Sequence, residues 1–242
     1  MEVPYEILAL FERSKEHLSE MVKEYGICIE KGIITSRAKI ITHQALSLCR
    51  HALDHAMRFY WNEKWYNRLS EEQKSGFNLV YFPVAWSEED FPSKLHKYKM
   101  DDLIIYEPTV YNFLFNCQLF NNENYQWLYD LNALAGEGKH EHLINQKRIE
   151  YTHYTLEYAP EGKVIWRVST AKVDPNNIAQ KRYEYIGSEE LPEDRGLIET
   201  VKQRSSFTIK KIEREALFFC QEAREKAIEL VKEFFQLFEK NN

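Results

Sequence analysis

TSRAKIITHQALSLCRHALDHAMRFYWNEKW, Thr35 to Trp65, is the longest uninterrupted helical pattern in the first half of the chain. No Gly or Pro interrupts it. Thr35 or Ser36 can cap its start, because a hydroxyl there accepts a bond from an otherwise orphan backbone amide. Ile41, Ala45, Leu48, Ala52, Ala56 and Phe59 recur at spacings of three and four and define one apolar stripe. Leu46, Cys49, Leu53, Met57 and Tyr60 widen it. At roughly 100° per residue, Arg50, Asp54 and Arg58 fall on the far side. His51 and His55, four apart, lie on the border between the two faces. The helix is therefore expected to bury one side and present an Arg/His/Asp edge.

The segments around it read as further helices. Tyr5 to Tyr25 has helical spacing, with Pro4 suited to its first turn and Gly26 expected as its αL cap. A short connection through Gly32 makes the first two helices an antiparallel pair. Ser70 and Gln73 have the spacing of a capping box. Leu79 to Pro83 reads as extended, and Phe91 and Leu95 anchor a turn after it. Asp101–Asn116 and Asn124–Ala135 read as helices, the first punctuated at Pro108. From Glu150 to Val173 the pattern changes to alternating Tyr, Thr, Val, Ile and Trp, with a turn at Pro160–Gly162. Arg182–Ile186 and Gly196–Ile209 add further strands. Glu213–Lys240 returns to helix, with an apolar face wide enough to pack on the Thr35–Trp65 helix.

The expected fold is mainly α, a helical bundle with a small inserted antiparallel sheet (α+β). One domain spans 1–242. The bundle comprises 1–148 and 212–242, and the sheet occupies about 149–211.

The 242 residues are 44% hydrophobic and 14% aromatic, which supplies a large core. A net charge of −6 with mixed signs lends no support to nonspecific duplex nucleic-acid binding. The four cysteines are widely separated and form no C-x-x-C pair, which fits a reduced, cytoplasmic protein without a zinc ribbon. No basic segment followed by an apolar core opens the chain, and no apolar run approaches the ~20 residues of a membrane helix. P-loop, dinucleotide-binding and G-x-S-x-G patterns are missing.

Arg50-His-Ala-Leu-Asp-His55 has the spelling R-x4-H with a polar residue after the Arg, and in this it resembles the HEPN superfamily. That resemblance implies a helical bundle acting as a metal-independent ribonuclease of a toxin or defence type, as a homodimer, with RNA as substrate and an antitoxin as partner. It requires no cofactor. Carried over, Arg50 binds phosphate and stabilises developing charge, His55 is the general acid or base in 2′-OH attack, and His51 is the polar auxiliary. The chemistry suits the residue types, since His titrates near neutrality and the Arg fork matches phosphate oxygens.

A looser resemblance, spread over roughly Ala45 to His142, is to uncharacterised prokaryotic and phage proteins. These carry R-x-A-L-D-H on a long helix, then F-P-[IV], then K-H; here they are Arg50–His55, Phe82-Pro83-Val84 and Lys139-His140. That set commonly has Ser where this chain has His51. It implies a shared architecture and no settled activity.

Two other readings stand beside the nuclease. Arg50–Asp54 and Asp54–Arg58 are i,i+4 pairs, so the polar face can be an ion ladder worth a few tenths of a kcal/mol per pair. The chain is then a non-catalytic binding or scaffold protein. Alternatively, His51 and His55, joined by His140 and His142 from Gly136-Glu-Gly-Lys-His-Glu-His142, can form a metal site for a hydrolase. In the nuclease reading, Asp54, Lys139 and His140 instead support a phosphate site. The aromatic set Phe59, Tyr60, Trp61, Trp65 and Tyr66 is expected to close the end of the bundle or form an interface.

Overall fold

A computed structural model describes residues 2–74, 79–137, 143–158, 166–173, 184–186 and 197–238. The described chain is mainly helical with a small antiparallel sheet. It divides into two compact units, Met1–Asn145 with Ile209–Asn242, and Gln146–Thr208.

The first unit is built on α1 (Tyr5–Lys31) and α2 (Ser36–Tyr60). α1 runs through Gly26 and ends at Gly32, whose φ of 67° is the left-handed cap. Gly32 rather than Gly26 takes that role because the apolar spacing continues past Tyr25 to Cys28, so stopping earlier would leave Cys28 without a helical frame. Thr35 caps α2, its hydroxyl accepting from the Ala38 amide at 3.1 Å. The two helices are antiparallel and locked in register by polar pairs. Ser14 Oγ donates to the Ala45 carbonyl at 3.0 Å, Tyr25 and Thr42 exchange a 3.1 Å bond, and Thr35 donates to Glu24. Ser14, His17 and Glu24 are buried on α1, while Leu18 is half-buried and Val22 exposed. The buried row 7, 11, 14, 21, 25, 28 follows the three-four spacing of a helix–helix seam, and α2 supplies the polar partners that make the polar members tolerable.

α2 lies at the centre of this unit, in contact with α1, α7 (Gln126–Glu137) and α8 (Ala216–Gln236). Its last turn passes into a π-helical stretch, Trp61–Trp65, and a 3₁₀ turn at Tyr66–Arg68. The aromatic end closes the bundle as expected. Tyr60 stacks on Phe238 and meets Phe234 at a tilt, and Phe59 meets Phe235. Trp61 and Trp65 are buried, and Tyr66 is exposed.

Short helices follow. α3 (Glu71–Lys74) carries the capping box in full: the Ser70 amide donates to Gln73 Oε1 at 2.9 Å and the Gln73 amide to Ser70 Oγ at 3.2 Å. α4 (Asp90–Lys97) is anchored by buried Phe91 and Leu95. It ends with the Met100 amide bonded back to the Leu95 carbonyl and Lys99 in the left-handed region at φ 57°. The carbonyls of Tyr98 and Lys99 then receive the indole N–H groups of Trp61, at 2.9 Å, and Trp65, at 2.7 Å. Pro108 splits the next stretch into α5 (Leu103–Tyr106) and α6 (Pro108–Asn116), because proline suits a first helical turn but not an interior.

In the second unit β1 (Gln146–Tyr158) and β2 (Trp166–Val173) pair antiparallel, from Tyr151 opposite Val173 to Tyr158 opposite Trp166. β3 (Glu184–Ile186) pairs antiparallel with β2, and β4 (Leu197–Ile209) neighbours β1, giving the order β3-β2-β1-β4. The expected turn at Pro160–Gly162 lies outside the described residues. The chain returns through the two-residue strand β5 (Arg214–Glu215) into α8. At the crossing, the Lys210 amide donates to the Asn145 carbonyl at 2.9 Å, so the points of exit and re-entry are neighbours.

Candidate functional site

Arg50 and Asp54 sit one turn apart on α2, and the structure joins them. Arg50 Nη2 is 2.8 Å from Asp54 Oδ1 and donates to the Phe82 carbonyl at 2.7 Å. Asp54 Oδ1 also accepts from the Phe82 amide at 2.9 Å. One arginine and one aspartate thus bind both backbone groups of a residue that has no strand partner. Gln118, just beyond α6, does the same one step on: its Oε1 accepts from the Ala85 amide at 2.8 Å and its Nε2 donates to the Pro83 carbonyl at 3.1 Å. The extended segment from Val80 to Ala85 is therefore carried by side chains in place of a neighbouring strand.

The site is enclosed. Arg50 is 9% exposed, Asp54 is half-buried, and Phe82, Gln118 and Tyr98 are buried. Burial pushes the Tyr98 phenol above its ordinary range. The Arg50 charge and the Tyr81 backbone pull it down and the Asp54 charge pushes it up, which places the ring beside the pair. Arg50 Nη1 is buried and has no hydrogen-bond partner among the described residues.

The polar edge expected on α2 is divided between inside and outside. Arg50 lies under the Val80–Ala85 segment rather than on an open face, because α2 is covered on this side as well. His51, His55 and Arg58 are exposed. Five residues are about 140° around a helix, so Arg50 and His55 of one chain do not turn to a common cleft. His51 and His55 instead continue a row of four-residue steps that begins with His43 and Ser47. His43 Nε2 and Ser47 Oγ are 3.3 Å apart, and His43 is half-buried. Burial first, and the nearby His51 second, lower its affinity for a proton. His43 belongs to this row by spacing alone, a signal visible in the sequence once His51 and His55 are marked.

Lys139, His140 and His142 lie outside the described residues. Among the described residues no group of three His, Cys, Asp or Glu side chains is arranged to hold a metal ion. The four cysteines are free and buried. Burial pushes the Cys49 thiol up to about 11 and Cys117 up to about 12, and raises Cys220 as well. No described helix is long and apolar enough to cross a membrane.

No family model, curated protein or solved structure matches this chain.

Proposed function

We propose that this chain is a non-catalytic binding or scaffold protein of the cytoplasm, and that its R-x4-H spelling serves architecture. The observation that carries this reading is the commitment of Arg50. Its guanidinium spans Asp54 and the Phe82 carbonyl from a buried position, so phosphate would have to displace two short charge-assisted bonds to reach it. A ligand for such a protein would meet the exposed His51 and His55 face of α2 before it met Arg50.

The alternative, a dimeric HEPN-like ribonuclease of a toxin or defence type with an antitoxin partner, draws its support from His51 and His55, which are exposed on one face of α2. RNA cleavage by the purified chain in EDTA, comparing wild type with His55→Ala, separates the two. The scaffold reading expects no cleavage by either. Cleavage by wild type that His55→Ala abolishes would establish the nuclease and end the scaffold reading.

A further inference from the structure

A second buried charge cluster lies where α7 meets the start of α8. Asp130 on α7 is 6% exposed. Its Oδ1 accepts from Gln126 Nε2 at 2.8 Å, while its Oδ2 lies 3.8 Å from Arg214 Nη1, beyond hydrogen-bond length. Arg214 gives its direct bond to Glu222, whose other oxygen is 2.9 Å from Lys226 Nζ. The guanidinium also lies over the Phe219 ring, 4.8 Å from its centroid. The residue before it, Glu213, is held at φ 52°, and the residue after it, Glu215, is occupied capping α8 through the Leu217 and Phe218 amides. Asp130 thus faces one neutral donor from its own helix, Arg214 between Glu213 and Glu215 on the return segment, and from α8 Glu222, which is itself paired with Lys226. The more buried of the two acids has the poorer partner.

We propose that Asp130, Arg214 and Glu222 form a proton-sensitive clamp, in which a proton on Asp130 tightens the junction of α7 with the Lys210–Glu215 return and its loss loosens it. A buried carboxylate whose cation stands beyond hydrogen-bond length keeps part of its burial cost, and the neutral acid does not. The two acids are also driven apart. Burial raises Asp130 above the ordinary carboxylate range, only partly offset by Gln126 and Arg214 and reinforced by the Glu222 charge. Burial acts upward on Glu222 too, but the Lys226 and Arg214 bonds outweigh it and leave that acid low. A folded-state affinity raised in this way stabilises fully below the unfolded value and is lost as pH rises through the folded value. The clamp therefore weakens as pH rises through the folded-state midpoint of Asp130.

Amide exchange of the full chain, corrected for intrinsic rates, tests this on the peptides covering Gln126–Leu131 and Lys210–Phe218. Wild type should lose protection severalfold from a pH below the Asp130 midpoint to one well above it. Asp130→Asn, which imitates the protonated acid, should hold the acid-level protection at both. Carbon-13 titration of the Asp130 carboxyl in the wild-type chain decides the matter without a variant. A midpoint above the usual aspartate value of about 3.9 supports the clamp, and one at or below it overturns it. Equal protection at both pH values in wild type, or the same slope in Asp130→Asn, would overturn it too.

Discussion

Arg50 and His55 are five positions apart and have opposite fates. The first is an internal tie and the second is exposed on α2. Truncation should expose the difference. Arg50→Ala strands the Asp54 carboxylate and the Phe82 carbonyl in a buried setting, a loss on the order of 3–5 kcal/mol. His55→Ala should move stability by less than about 0.5 kcal/mol. Urea unfolding of the two variants against wild type gives both numbers, and equal midpoints would contradict the placement of Arg50. Lys99 offers the opposite sign. It occupies a left-handed position that costs an L-residue roughly 1 kcal/mol, so Lys99→Gly should raise the urea midpoint. The thiols follow from burial. Cys49, Cys117 and Cys220 are buried and raised, so a thiol reagent at pH 8 should label them only as fast as the chain unfolds. At this scale the sequence was a partial guide. It marked Arg50, Asp54, His51 and His55 as the chemically dense set and paired Arg50 with Asp54. It could not say that an extended segment about thirty residues downstream would close over the pair, because nothing local to Val80–Ala85 names its partner.

Among elements, α2 shows what periodicity can and cannot carry. Its start, its cap and its buried stripe follow from spacing, and so does the packing of α8 through Phe234, Phe235 and Phe238 against Phe59 and Tyr60. Periodicity also implies one wet face, and a central helix has less of one than its sequence suggests. α1 makes the same point from the other side. Ser14 and Glu24 are inside and Val22 is outside, because a helix–helix seam rewards complementary partners over hydropathy alone. The hidden dependence between elements lies in the α4 end, whose Tyr98 and Lys99 carbonyls are closed by the indoles of Trp61 and Trp65. Trp61→Phe keeps an aromatic ring but deletes the donor to a buried carbonyl and part of the buried ring, so it should cost at least about 1–3 kcal/mol. The same change at the exposed Trp86 should cost far less. Thermal melts of both variants compare them directly.

At the scale of the molecule, the inserted strands were legible because the alternation from Glu150 to Val173 contrasts with helical periodicity on both sides. The end of β4 at Ile209 agrees with the pattern, but the start of β1 was not legible, since it begins at Gln146 rather than Glu150, and strand ends are set by pairing partners rather than by local pattern. The Asn145–Lys210 bond holds the two crossing points together. Replacing 146–208 by a short Gly/Ser linker should therefore leave the helical unit folding cooperatively, with helical circular dichroism and one thermal transition. A chain that no longer melts cooperatively would show that unit 1 depends on the strands. The buried indoles also give the folded protein an optical signature. Trp61 and Trp65 donate to carbonyls in a dry interior, whereas Trp86 is 69% exposed against Tyr129. Acrylamide should quench the long-wavelength emission of Trp86 first and leave a blue-shifted remainder. The fading of that remainder would report, without any added label, water reaching the interior in which Trp61, Trp65 and Trp127 are buried.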